Sequence, residues 1–125
     1  PIARFAGRDD LAREWCEGDK ARLAAQIRPD GSQPEEIRRV DGLGYSAFNL
    51  EAQFHVVRLA AGLGIDLWNY TAPNGASLRL ALDFLRPYNA APEKWPTSQN
   101  EKLRPGFLDP LLQQAVVFSA RPPAK

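Results

Sequence analysis

The segment from Tyr45 to Leu63 constrains the fold most, because it predicts a long helix with two separate apolar stripes. At about 100° per residue, the stripes recur at helical spacing. One holds Leu50, Phe54, Val57 and Ala61, and the other holds Phe48, Ala52, Leu59 and Leu63. A surface helix usually has one apolar stripe. We therefore expect this helix to pack against neighbours on both flanks, as in a ring or array of helices.

Two polar faces separate these stripes on the predicted helix. The polar side chains on one side are Tyr45, Asn49 and Gln53. Those on the opposite side are Glu51, His55 and Arg58. Because one helix cannot easily present both faces to a single substrate, we place the candidate chemistry on the side of Tyr45. We expect His55, the single histidine, to have a structural role.

Helical periodicity extends beyond this segment. A first pattern covers residues 11–27, where Gly18 predicts one broken helix or two short ones, since glycine weakens a helix interior. Residues 38–44 are expected to be irregular. Ser77 is expected to cap a helix that Pro87 ends.

Two capping signals predict helices further along the chain. Ser98-x-x-Glu101 is typical of a capping box at a short helix. Asp109, followed by Pro110 at the first helical position, predicts a helix that runs through Ser119. No segment shows the alternation typical of a strand. The expected fold class is therefore all-α.

Composition limits the classes of function. The chain has 125 residues and a formal net charge of +1, so it is one domain or part of one. It lacks the basic excess of a nucleic-acid binder and any apolar run of the ~20 residues that span a membrane. We expect neither nucleic acid nor membrane as a partner. A local basic cleft could still bind an acidic polymer.

Histidine and cysteine are too scarce for several kinds of site. The single Cys16 excludes an internal disulfide, and we favour a buried apolar group over a reactive thiol there. One histidine and one cysteine provide too few ligands for a metal centre and disfavour a nucleophilic triad. The sequence therefore predicts no metal and no cofactor.

Two arginines precede the tyrosine that opens the long helix. Arg38 and Arg39 could form surface pairs with Glu35 and Glu36, or one of them could hold the carboxylate of an acidic sugar through its planar guanidinium. Tyr45 could be an amphipathic residue at a helix start, or an acid/base. Because a tyrosine normally titrates near pH ~10, a basic role would need a neighbouring positive charge.

Amide and aromatic side chains are further candidates for binding a substrate. Asn49 and Gln53 could bind sugar hydroxyls or bond within a helical core, and Gln33, just before the arginines, joins them as a candidate substrate-binding residue. Three aromatic side chains could stack on sugar rings, but we favour core packing for them. They are Trp68, Tyr70 and Trp95.

Several segments between about Phe5 and Trp95 carry a resemblance to a known family. They are Ala24-Ala25-Gln26-Ile27-x-Pro29-Asp30-Gly31-Ser32-Gln33-Pro34, Glu36-x-x-Arg39, Tyr45-Ser46-x-Phe48-Asn49-Leu50, Gly64-Ile65-Asp66-Leu67-Trp68-x-Tyr70 and Gly75-x-Ser77-Leu78-x-x-Ala81-Leu82-Asp83-Phe84-Leu85-x-Pro87-Tyr88. In order and spacing, this set resembles the alginate lyase family of polysaccharide lyases.

The resemblance implies a fold and an activity. The fold would be a partial (α/α) toroid of antiparallel helix pairs with long loops, with residues 1–125 as the C-terminal portion of the catalytic domain. Family members cleave acidic polysaccharides such as alginate by β-elimination, and the alginate-cleaving branch with this fold does not generally need a metal. The expected partners are an acidic polysaccharide and the remainder of the same domain. The expected location is periplasmic or secreted, in a bacterium.

The resemblance also assigns roles to residues. Tyr45 corresponds to the catalytic tyrosine and Arg39 to the arginine that neutralises the uronate carboxylate, with Arg38 as the alternative. The family's Asn-Asn-His motif is absent from this sequence and would lie shortly upstream of Pro1. The intact parent is therefore expected to be the enzyme, whereas this chain carries half of the site. The alternative is a non-catalytic helical module that binds glycans or serves structure.

Overall fold

A computed structural model of the protein describes residues 9–97 and 99–120, and these residues confirm the predicted all-α fold. The helices are α1 (Asp9–Gln26), α2 (Pro34–Ile37), α3 (Gly42–Ala61), α4 (Leu78–Leu85) and α5 (Asp109–Ala120). Two short 3₁₀ helices follow α4, at Arg86–Tyr88 and Pro92–Lys94. No β-strand occurs in the described ranges, where the one extended pairing is an isolated bridge between Asp41 and Gln99.

Helix α3 is the centre of the packing, since α1, α2, α4 and α5 all contact it. It begins at Gly42 instead of Tyr45, so the prediction of irregular structure is wrong for residues 42–44. The early start has a steric reason. A Cβ atom on Gly42 would lie 2.9 Å from the carbonyl oxygen of Ile37. Glycine at this position therefore allows the first turn of α3 to pack closely against α2. The Tyr45 amide then donates to the carbonyl of Asp41 at 2.9 Å.

The first apolar stripe of α3 forms much of the core. Leu50, Phe54 and Val57 are buried. The ring of Phe54 packs edge-to-face against Trp68 at 5.6 Å and against Phe118 of α5 at 5.3 Å between centroids. This aromatic cluster joins α3, the loop after it and α5, and it confirms the core packing expected for Trp68.

The second apolar stripe of α3 is buried only towards its C-terminal end. Leu63 is buried and Leu59 is half-buried. By contrast, Phe48 is 70% exposed, and Ala52 is also exposed. The prediction of packing on both flanks is therefore wrong at Phe48 within the described residues, because no described element covers that part of the helix.

Helix α1 corrects a second expectation, because it is continuous through Gly18. Gly18 is exposed and a Cβ there would meet nothing within 4 Å. Its neighbours Cys16, Asp19 and Leu23 are buried against the rest of the fold. Tertiary burial therefore outweighs the ~1 kcal/mol that a glycine costs in a helix interior. The burial of Cys16 also confirms the interpretation of its thiol as a core group.

Two of the three capping signals correspond to helices. The Ser77 hydroxyl accepts from the amide of Leu80 at 3.2 Å, and α4 ends at Leu85, where the 3₁₀ helix Arg86–Tyr88 containing Pro87 begins. Helix α5 begins at Asp109 as expected. The predicted helix at Glu101 is absent from the described residues, and Ser98 lies outside them.

Asp41 explains why no helix forms at Glu101. Its carboxylate Oδ1 accepts from the Glu101 amide at 2.7 Å, and the Gln99 side chain donates to the Glu101 carbonyl at 2.7 Å. The long-range bond from Asp41 and the local bond from Gln99 use the backbone groups of Glu101 that a helix would need. In the described ranges, no helix has the length and apolarity to cross a membrane.

Candidate active site at the start of helix α3

The turn between α2 and α3 brings Arg39 onto Tyr45. The guanidinium carbon Cζ of Arg39 lies 4.6 Å from the centroid of the Tyr45 ring, which is the geometry of a cation–π contact. Tyr45 is 41% exposed, so the pair is accessible from solvent. The two residues that the sequence singled out for chemistry are therefore neighbours in space.

Both arginines also pair with carboxylates. Arg39 Nε lies 3.6 Å from Glu36 Oε1, and Arg38 contacts Glu35. The Arg38–Glu35 pair is exposed, and such pairs contribute about 0–1 kcal/mol. In the other pair Arg39 is half-exposed and Glu36 is mostly buried, and their separation of 3.6 Å leaves the guanidinium able to take a substrate carboxylate. The surface pairing considered from the sequence therefore exists, and for Arg39 it coexists with the contact to Tyr45.

A chain of side-chain amides lies beside this pair. Gln33 Nε2 donates to the Ser46 carbonyl at 3.1 Å, and its Oε1 accepts from Asn49 Nδ2 at 2.8 Å. Asn49 Nδ2 also donates to Gln26 Oε1 at 3.4 Å, and Gln53 Nε2 donates to the same oxygen at 3.4 Å. Residues from α1, α3 and the segment before α2 thus form one connected network.

The three predicted amide binders lie at two depths. Gln33 is 2% exposed and Gln53 is 6% exposed, whereas Asn49 is half-buried. Both polar groups of Gln33 are used within the protein. Asn49 lies one helical turn after Tyr45, so among these amides it has the access that a sugar would need.

Sequence reasoning missed the contribution of α1 to this network. Asp19 is 2% exposed, and its Oδ1 accepts from Arg22 Nε at 3.1 Å. Burial raises the pKa of the Asp19 carboxyl above its ordinary value, against the opposing effects of Arg22 and Gln53. A signal for this was available, because Asp19 occupies a helical register that otherwise holds buried apolar residues. Those residues are Ala12, Cys16 and Leu23.

Other candidate groups lie away from Tyr45. His55 is exposed and contacts Arg58, which also contacts Gln114 of α5. Trp95 is buried against Phe84 and Tyr88, as expected for a core residue. In residues 9–97 and 99–120, no group of three or more His, Cys, Asp or Glu side chains could hold a metal ion.

A cleft of about 590 Å³ lies between residues 92 and 105. Its lining includes Trp95, Gln99 and Lys102. Gln99 links the cleft to the start of α3, because its Oε1 accepts from the Gly44 amide at 3.1 Å. The lining also includes two carboxylates, Glu93 and Glu101, against the single cation Lys102. The cleft is therefore a polar and partly acidic surface that is connected to the helix turn bearing Tyr45.

Comparisons with known proteins agree with this architecture. The family model described as alginate lyase matches residues 1–95. A crystal structure of an alginate lyase from Bacteroides ovatus is 33% identical in sequence and superposes with a TM-score of 0.78, covering 96% of this chain and 36% of that chain. This chain thus spans little more than a third of that enzyme. No curated protein sequence gives a match. On the family match and the shared fold, this chain belongs to the alginate lyase family.

Proposed function

We propose that this chain is part of a polysaccharide lyase that cleaves a uronate-containing polysaccharide such as alginate by β-elimination. The observation that carries the proposal is the accessible pair of Arg39 and Tyr45, with 4.6 Å between the guanidinium carbon and the ring centroid. Membership of the alginate lyase family supports the same reaction class.

The reaction needs a carboxylate clamp and a proton carrier. A base removes the C5 proton of the uronate, a double bond forms between C4 and C5, and the C4–O4 bond breaks as O4 takes a proton. Arg39 is proposed to hold the adjacent carboxylate, so that negative charge can develop there. A fixed donor of this kind stabilises a transition state by about 3 kcal/mol. Tyr45 is proposed to carry the proton, from C5, to O4, or both in turn.

The remaining candidate residues are proposed either to bind the polysaccharide or to hold a binding residue in place. Arg38 offers a second cation for the polymer, and Asn49 is proposed to bond a sugar hydroxyl directly. Because Gln33 and Gln53 are buried, they are proposed to hold Asn49 in place through the amide network.

The site is proposed to be completed by the remainder of the same catalytic domain. Residues 1–125 would form the C-terminal portion of a toroid, and the upstream portion would supply the Asn and His of the family motif. The exposure of Phe48 on α3 supports a missing neighbour there. A periplasmic or secreted location is proposed with this function.

Ultraviolet absorbance tests the proposal, because β-elimination creates an unsaturated uronate that absorbs. The complete gene product is mixed with alginate and then with polymers of glucuronate and related uronates. A rising signal on one polymer would establish a lyase and identify its substrate. A flat trace on all of them, from protein shown to be folded, would overturn the proposal.

A non-catalytic glycan-binding module is the second candidate. The observation that favours it is that both arginines are already paired, Arg39 with Glu36 and Arg38 with Glu35. Salt-sensitive binding of a polyuronate without absorbance change, and equal binding by Tyr45→Phe, would favour this module over the enzyme.

A further inference from the structure

The first turn of helix α3 carries Tyr45 but is built from residues that favour a helix poorly. Gly42 and Gly44 both lie in it, and glycine is unfavourable in a helix because it has the most backbone freedom to lose. Asp41 occupies the N-cap position, yet its side chain makes no capping hydrogen bond to this turn within the described residues. The turn therefore needs support from outside the helix if Tyr45 is to keep a fixed place.

A distant segment supplies the cap that Asp41 does not. The first amides of a helix have no carbonyl partner within the helix, so they need acceptors from elsewhere. Oε1 of Gln99 accepts from the Gly44 amide at 3.1 Å, although 55 positions separate the two in sequence. The next amide, that of Tyr45, donates to the Asp41 carbonyl at 2.9 Å. Gln99 therefore takes the role that an N-cap side chain normally has.

Asp41 in turn holds the segment that carries Gln99. Its Oδ1 accepts from the Glu101 amide at 2.7 Å, and Gln99 Nε2 donates to the Glu101 carbonyl at 2.7 Å. The orientation of the Gln99 side-chain amide is fixed, because the Gly44 amide can only donate and the Glu101 carbonyl can only accept. We call the hydrogen bonds that join Asp41, Gly44, Gln99 and Glu101 the clasp.

Helix α2 contacts the same turn of α3 through Gly42. A Cβ atom there would lie 2.9 Å from the Ile37 carbonyl oxygen, so the turn is closely packed against the segment that leads to Arg39. The clasp and α2 thus both hold the turn that bears Tyr45. Movement of this turn away from either contact would change the 4.6 Å separation between the Arg39 guanidinium carbon and the centroid of the Tyr45 ring.

We propose that Gln99 is a positioning residue for the lyase reaction, because it caps the first turn of α3 and so holds Tyr45 beside Arg39. It acts through Gly44 and Tyr45. Asp41 supports it by holding Glu101, and with it the segment from which Gln99 reaches the helix. The capping is a property of the fold and stands apart from any reaction, whereas the effect on turnover rests on the proposed function.

Hydrogen exchange tests the cap without any substrate. In the complete gene product, Gln99→Met keeps the length of the side chain but removes the acceptor of the Gly44 amide. Gln99→Glu keeps an acceptor there, and its negative charge suits a helix N-terminus. We expect the assigned amides of Gly44 and Tyr45 to exchange about 5-fold faster or more in Gln99→Met, as for a lost cap, and near the wild-type rate in Gln99→Glu. Unchanged exchange in Gln99→Met, or equal acceleration in both variants, would overturn the proposal, whatever the protein's activity.

Asp41 provides a second pair of variants that leaves Gln99 in place. Asp41→Leu removes the acceptor of the Glu101 amide, whereas Asp41→Asn keeps an oxygen at the same position. We expect faster exchange at Gly44 and Tyr45 in Asp41→Leu and recovery in Asp41→Asn. If both variants exchange like the wild type, the clasp does not hold the turn and the proposal fails, even where Gln99→Met folds poorly.

Kinetics separate positioning of Tyr45 from a general loss of structure. On a polymer that the wild type cleaves, Gln99→Met should lower kcat about 10-fold or more with little change in KM, because the proton carrier is displaced while the binding amides stay in place. Gln99→Glu should restore kcat, and Gln113→Met at an exposed position of α5 is the matched control.

Two kinetic results would overturn the positioning role. One is a kcat unaffected by Gln99→Met, and the other is a rise in KM alone, which would show that Gln99 binds substrate. A wild type that cleaves nothing would instead count against the proposed function, and the exchange result at Gly44 and Tyr45 would still decide whether Gln99 caps the helix.

Discussion

Helix α3 buries apolar side chains on one side and amides on another, and the two sides are stabilised differently. Phe54 is fully buried in an aromatic cluster with Trp68 and Phe118. Gln33 and Gln53 are almost as deeply buried, but in a network of directed hydrogen bonds. Apolar burial is nondirectional, whereas an amide bond depends on distance and angle. The apolar side therefore determines how stable the fold is, and the polar side determines where Asn49 lies.

Truncation of the aromatic cluster should have the largest effect on stability. Phe54→Ala leaves a cavity between α3 and α5 and should lower the free energy of unfolding by about 3–5 kcal/mol, measured by urea denaturation. Phe48→Ala on the same helix is the matched control. In the 125-residue chain measured by itself, Phe48 is 70% exposed, so its loss should stay within about 0.5 kcal/mol. Equal losses of unfolding free energy in the two variants would show that Phe48 is buried in solution and that the two positions do not differ in burial.

A substitution in the polar network should lower the free energy of unfolding by less than Phe54→Ala does, but it should weaken substrate binding. Gln33→Leu removes the side-chain donor to the Ser46 carbonyl and the shorter of the two hydrogen bonds that Asn49 Nδ2 donates. We expect a loss of about 1–3 kcal/mol in the free energy of unfolding. We also expect a higher KM on the cleaved polymer, because Asn49 loses an anchor.

The exposed Gln113 of α5 provides a control of the same chemistry. Gln113→Leu should change neither the stability beyond about 0.5 kcal/mol nor the KM. If Gln33→Leu were as mild as this control, the network would not position Asn49, and the contrast between the two sides of α3 would be lost.

The smallest expected effect is a gain in stability. Gly18→Ala adds a methyl group to an open, exposed position in α1 and should raise the free energy of unfolding by about 0.5–1 kcal/mol. Because Gly18 precedes Asp19 but faces solvent, the gain should be the same at every pH tested. A pH-dependent gain would mean that the substitution disturbs Asp19, and it would show that α1 and the network are coupled.

Periodicity and capping predict much of the fold. The stripe of Leu50, Phe54 and Val57 identifies the buried face of α3, and Ser77 identifies the start of α4. The errors have physical causes that no local pattern contains. Gly18 lies in a continuous helix because its neighbours are buried, and the backbone at Glu101 is bonded to the distant Asp41.

The candidate site was predictable in part. Resemblance to a family gives Arg39 and Tyr45, and their proximity in space agrees with a shared role. The depth of Gln33 and Gln53 was not predictable, because an amide on a helix suits a surface and a core equally well. Asp19 could have been noticed as a carboxylate in an apolar register, but its contact with Gln53 depends on how α1 crosses α3.

The proposed role of Tyr45 as the proton carrier is tested by the rate at which Tyr45→Phe forms unsaturated uronate. The substitution removes only the phenol oxygen of a half-exposed ring, so circular dichroism and thermal unfolding should match the wild type. On the polymer that the wild-type gene product cleaves, we expect a loss in kcat of about 100-fold or more. A variant that keeps the wild-type rate would contradict the assignment of Tyr45 as the proton carrier.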